Sequence, residues 1–139
     1  MDDFLELPAE RQKLIIEQAQ QRLGLTPASI EKDFWVCWIL RELFALPEWG
    51  KQLTFKGGTS LSKAWKLIQR FSEDIDVVIE REFLGFGGEL SRNRQKKLVK
   101  TCSERICSDL KPRLEKRFKT VLPTKLVWSL ELASIDEDR

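Results

Sequence analysis

The chain has no histidine among its 139 residues. That absence excludes Ser-His-Asp and Cys-His catalysis, zinc sites built on histidine, and any histidine pH switch. Cysteine is scarce. Cys37, Cys102 and Cys107 are odd in number and fall inside helical patterns, so they are expected as small buried hydrophobes rather than a disulfide framework or a metal cluster. No apolar run approaches the roughly 20 residues a bilayer span requires. The opening Met1-Asp2-Asp3-Phe4-Leu5-Glu6 lacks the basic segment of a signal peptide, and a cytoplasmic location is expected. Carboxylates, lysine, hydroxyls and bound metal remain as the available chemistry.

What is present fits a single globular domain over residues 1–139. Hydrophobic residues make up 42% and charged residues 33%, a balance able to form a core and unlike that of a disordered chain. The net charge of +2 conceals an asymmetry. Residues 92–119 hold eleven Lys/Arg against three Asp/Glu, while the rest of the chain is net acidic. Such a run is either a solvated helix face or a surface that attracts a polyanion such as RNA.

Periodicity predicts N-terminal helices over 7–46. The first covers 7–23, with Pro8 in its opening turn, Gly24 as its stop, and Leu14, Ile15, Ala19 and Leu23 as its apolar stripe. The second is capped by Thr26, has Pro27 at its first position, and repeats apolar residues from Ile30 to Phe44. A strand-turn-helix-strand core over 53–80 follows. A basic helical segment is expected over 91–120, capped by Ser91 and broken or kinked at Pro112. The alternation of Leu126, Trp128, Leu130 and Leu132 with polar neighbours predicts a half-buried strand over 124–133. The layout is α+β, a small mixed sheet flanked by helices.

The most informative stretch is Phe55-Lys56-Gly57-Gly58-Thr59-Ser60-Leu61-Ser62-Lys63, followed by Asp74-Ile75-Asp76-Val77-Val78-Ile79. Glycines let a backbone approach phosphate oxygens, and hydroxyls at a following helix start add donors where the macrodipole favours an anion. The turn alone is equally a tight strand-to-helix corner. It is neither a Walker A loop nor a dinucleotide fingerprint. Asp74 and Asp76, two apart in a strand, point to one face, where their mutual repulsion calls for a cation. Turn and carboxylates together point to metal-dependent nucleotidyl transfer. In that reading Asp74 and Asp76 are the catalytic metal ligands for Mg²⁺ or Mn²⁺, and Gly57, Gly58, Thr59, Ser60 and Lys63 bind the phosphates of an NTP. Lys63 is alternatively a solvated helix lysine. Glu131 is a candidate third carboxylate, or else a plain exposed residue.

The string FKGGTSLSKAWKLIQRFSEDIDVVIE resembles the signature of AbiEii/AbiGii-type toxins, members of the nucleotidyltransferase superfamily with a polymerase-β-like core. Gly57 and Gly58 match the turn, Ser60 its following hydroxyl, and Asp74 and Asp76 the metal pair. Arg70-Phe71-Ser72 and the upstream Glu31-Lys32-Asp33-Phe34 are also similar to family segments. The resemblance implies a nucleotidyltransferase-like core and a toxin of a toxin–antitoxin or phage-abortive system. It further implies a cognate antitoxin partner, and transfer from an NTP to RNA such as tRNA. The chain stops before any equivalent of the family's later lysine/acidic motif. It is therefore expected to be truncated relative to the family, with a catalytically incomplete nucleotide-, RNA- or antitoxin-binding fragment as the alternative.

Overall fold

The computed structural model describes residues 2–55 and 75–133. A short α1 (Asp2–Glu6), not anticipated from the sequence, precedes α2 (Ala9–Leu23). Pro8 stands just outside α2, and its carbonyl accepts from the amides of Arg11 and Gln12 at 3.0 and 3.1 Å. The helix ends where Gly24 turns left-handed at φ 68° and donates its amide to Gln20 O, a conformation that costs glycine nothing. The expected apolar stripe of α2 is not buried in the core. No α2 residue is fully buried, and Leu23 is 63% exposed. The stripe instead borders an open groove of about 550 Å³ between α1, α2 and α3, lined in part by Ile15, Ile16, Ala19 and Phe34.

Helix α3 (Pro27–Ala45) starts as its sequence dictates, with Thr26 Oγ1 accepting from the Ser29 amide at 3.2 Å and Pro27 in the first turn. Its inner face carries Trp38, Glu42 and Leu43, all buried, whereas Phe44 turns outward. The turn at 47–50 then depends on one glycine. A Cβ on Gly50 would sit 2.1 Å from the carbonyl oxygen of Phe44, so no other residue fits without moving backbone.

The chain continues through a tight 3₁₀ turn (Gly50–Gln52) into β1 (Leu53–Phe55), which pairs antiparallel with β2 (Val77–Ile79). Two helices follow, α4 (Arg92–Arg105) and α5 (Lys111–Val121), joined without a break by one wide π turn (Ile106–Leu110). Ser91 caps α4 as expected, its Oγ accepting from the Arg94 amide at 3.2 Å. Pro112 does not end the helix. The Lys111 amide reaches back five residues to Ile106 O, and this widening absorbs the missing donor and the ring of Pro112 that would clash in a regular α-helix.

The core joins α3 to α5 and the turn before β1, with Trp38, Leu43, Leu46, Trp49, Leu114 and Phe118 among its members. A chain of aromatic contacts runs through it from Phe4 by way of Phe34, Trp35, Trp38 and Phe118 to Trp128, with centroids 4.8 to 5.8 Å apart. The expected strand over 124–133 is not formed. Residues 126–133 lie outside any element, yet Leu126, Trp128 and Leu130 pack on the core while Val127 is 97% exposed. Alternation there encodes which side is buried. A strand also needs a hydrogen-bonding neighbour, and the pattern is silent on that.

The cysteines divide. Cys37 and Cys102 are half-buried, and burial pushes both thiols up from their ordinary pKa; for Cys37 the nearby Asp33 carboxylate adds to the effect. Cys107, within the π turn, is exposed, contrary to expectation. The α+β class holds, with the described ladder a two-stranded antiparallel one.

Candidate functional site

The sheet positions Asp76, one of the residues singled out by the sequence. Its register is Leu53 with Ile79, Thr54 with Val78, and Phe55 with Val77. Along β2 the side chains alternate as expected: Ile75, Val77 and Ile79 are half-buried, while Asp76, Val78 and Glu80 are exposed. The inner face lines a groove of about 400 Å³ shared with Leu98, Cys102 and Ile106 of the helical pair. The outer face presents Asp76 next to the end of the ladder, one residue before Val77. Because the strands run antiparallel, the chain leaves β1 at Phe55 and returns to β2 at this same end.

Of the predicted site residues, Asp76 is described and is a solvent-facing carboxylate. Gly57, Gly58, Thr59, Ser60, Lys63 and Asp74 lie outside the described residues, as do Arg70, Phe71, Ser72 and the expected helix after the turn. Glu131 is exposed in the irregular C-terminal segment and acts electrostatically on Lys111 of α5. Among the described residues no group of three or more His, Cys, Asp or Glu side chains could hold a metal. Asp76 itself suits a hard cation, since Mg²⁺ is commonly held by one or two carboxylates together with substrate phosphates and water. In the upstream segment, Asp33 is half-buried on α3. Burial raises its carboxyl pKa, partly offset by the Cys37 thiol 3.9 Å away.

Two side-chain networks hold the sheet and helices together. The first centres on Glu42, 1% exposed, whose carboxylate accepts from Arg41 at 3.0 Å and from Arg117 of α5 at 2.5 Å. Its sequence signal was present: Glu42 falls four residues after Trp38, on the buried stripe of α3. The second fixes the turn that leads into β1. Trp49 Nε1 donates to Asp109 Oδ2 at 2.6 Å, and Arg113 binds Asp109 Oδ1 at 3.0 Å, Glu48 at 3.2 Å and Pro47 O at 3.3 Å. Arg105 lies 4.7 Å over the Phe83 ring and 5.6 Å over Trp49. Asp109 belongs to the π turn, so the distortion at Pro112 aims the carboxylate that anchors the strand entry. No local pattern announces a contact 60 residues apart.

The hydrogen bonds from Trp49 and then Arg113 hold the Asp109 carboxyl below its ordinary pKa. A depressed carboxylate contributes stability that is complete above the unfolded value, about 3.9, and is lost as pH falls through the folded one. Asp109→Asn is therefore expected to flatten the decline of melting temperature below about pH 4 relative to wild type. Parallel pH profiles for the two proteins would show that this carboxylate carries no such linkage.

An α+β chain with an exposed aspartate at the entry to β2, and a glycine-rich sequence between β1 and β2, is compatible with a nucleotidyltransferase core. The profile of the family described as "Nucleotidyl transferase AbiEii toxin, Type IV TA system" matches residues 38–127, and the chain belongs to that family. Membership implies a cognate antitoxin. The comparisons with curated proteins and with solved structures return no match. Among the described residues no helix is long and apolar enough to cross a membrane.

Proposed function

We propose that the protein is a Mg²⁺-dependent nucleotidyltransferase that moves a nucleotide from an NTP to a hydroxyl acceptor such as RNA or tRNA. It would act as the toxin of a cytoplasmic toxin–antitoxin or phage-defence system. Asp74 and Asp76 hold the ion, Mn²⁺ being the alternative. When bound, the ion offsets phosphate charge as a Lewis acid. The amides of Gly57 and Gly58 and the hydroxyls of Thr59 and Ser60 grip the outer phosphates, and Lys63 adds a positive charge. The acceptor hydroxyl forms a bond to the α-phosphorus, the bond to the leaving pyrophosphate breaks, and the hydroxyl proton passes to solvent.

The observation that supports this reading is the pairing of Phe55 with Val77. Phe55, where the described chain leaves β1, and Asp76, just before Val77, therefore lie at the same end of the ladder. Family membership supports the reaction class. A second reading has one observation in its favour: among the described residues no group of three or more His, Cys, Asp or Glu side chains could hold a metal ion. In that reading the chain binds nucleotide, RNA or antitoxin without turnover.

Incubation with Mg²⁺, each labelled NTP in turn, and total tRNA separates the two. Label in the RNA is the expected result. NTP binding without label transfer favours the second reading, and absence of both contradicts the two together.

A further inference from the structure

The eleven basic residues of the 92–119 run are not equivalent once folded. On α5 three of the five cations are engaged, Lys111 with Glu115 at 2.6 Å, Arg113 with Asp109 and Glu48, and Arg117 with Glu42, while Lys116 and Lys119 form a separate exposed pair in no ion pair among the described residues. Arg105 is stacked on Phe83 and Trp49. Arg94 donates to the carbonyls of Glu89 and Gly87 and lies over Phe86. Arg92, Lys96, Lys97 and Lys100 differ. All four are exposed on α4, and none makes an ion pair with the described residues. The sole acidic residue within α4 is the exposed Glu104, one turn beyond Lys100.

This arrangement opposes the helix that carries it. Arg92, Lys96 and Lys100 repeat at four-residue steps, so like charges face each other along one stripe about 12 Å long. The first turn of α4 holds no acidic residue and two arginines, Arg92 and Arg94, where the macrodipole repels cations. Glu104 offsets Lys100 at the far end, but Arg92, Lys96 and Lys97 have no acidic residue three or four positions away within α4, and a local conflict of this kind marks a surface shaped for something outside the fold. The opposite face of α4 is committed: Leu98 and Cys102 line the groove beneath β2. The stripe is thus held on the same packed unit as β2, which Asp76 immediately precedes.

We infer that the exposed Arg92–Lys96–Lys97–Lys100 face of α4 is a docking surface for the phosphate backbone of a single-stranded RNA. A regular row of cations without ion-pair partners among the described residues complements a row of phosphates, and it reads charge rather than sequence. The inference depends on the proposed activity only for naming the bound strand as acceptor; binding itself requires neither NTP nor metal.

The test is fluorescence anisotropy of a short labelled single-stranded RNA with the full chain, without NTP or Mg²⁺, between about 50 and 200 mM salt. Wild type is expected to lose affinity steeply with salt. Lys96→Gln/Lys97→Gln/Lys100→Gln should weaken low-salt binding about tenfold or more and reduce the slope of log K against log salt by about 2, near 0.7 per lost contact. The single Lys96→Gln should reduce it by about 0.7. Removing the same charge elsewhere, with Lys116→Gln/Lys119→Gln/Lys125→Gln, should leave the slope near wild type. The α4 triple variant should melt no lower than wild type, because it relieves repulsion. The inference is overturned by absence of wild-type RNA binding, by equal weakening in both triple variants, or by tighter binding to anionic lipid vesicles than to RNA at the same salt. Failure of nucleotide transfer with RNA binding intact counts against the proposed activity and leaves this surface standing.

Discussion

Asp76→Asn is expected to lower NTP-dependent labelling of RNA about a thousandfold while the protein melts as wild type does. The two halves of that result have separate causes. Asp76 is exposed and precedes the paired residues of β2, so its replacement removes no packing, and surface changes of this kind stay within about 0.5 kcal/mol. Its charge is another matter. A carboxylate that holds a phosphate-bridging cation underwrites several kcal/mol of transition-state stabilisation, and each 1.36 kcal/mol is tenfold in rate. Asparagine keeps the shape and loses the charge. Labelling by Asp76→Asn at the wild-type rate would remove this residue from the chemistry.

The second large effect concerns stability. Arg117→Met should destabilise the fold by about 3 kcal/mol in urea titration, since it leaves the Glu42 carboxylate buried with one of its two arginines gone. The figure sits at the low end of the usual range because Arg41 still reaches Oε1. Adding Glu42→Leu to Arg117→Met should recover most of the loss, because the buried charge then disappears and an apolar contact replaces it between α3 and α5. A double variant as unstable as the single one would mean that the network matters for shape rather than for charge.

These expectations draw on sequence and coordinates in different proportions. Local signals carried the helix starts: Thr26 and Ser91 cap as their side chains require, and Gly24 turns left-handed as its lack of a Cβ allows. The alternation of Asp76 to Ile79 likewise predicted which side chains face inward. Patterns failed where the outcome depends on a distant partner. Leu126 to Leu132 alternates like a strand, but Leu126, Trp128 and Leu130 pack on the core, Leu132 is exposed, and no strand among the described residues pairs with the segment. The α2 stripe of Leu14, Ile15 and Leu23 is amphipathic without being buried. Pro112 was expected to break or kink the helix after Leu110; the disturbance takes the form of a π turn over Ile106–Leu110, and the helix carries on. Trp49 and Asp109 meet only because α3, the 47–50 turn and the π turn converge, which no window of sequence contains. For the candidate site, residue types and spacing suggested a chemistry, and of its residues the coordinates describe Asp76, exposed just before the antiparallel pairing of Phe55 with Val77.

The convergence of glycine turn and carboxylates on one cation can be read directly by nuclear magnetic resonance, titrating Mn²⁺ into the protein with a non-hydrolysable NTP analogue. The amide signals of Gly57, Gly58 and Asp76 should broaden together at the lowest Mn²⁺ additions, and Asp76→Asn should abolish the effect. Broadening centred elsewhere, or at Asp76 with the two glycines untouched, would contradict the account.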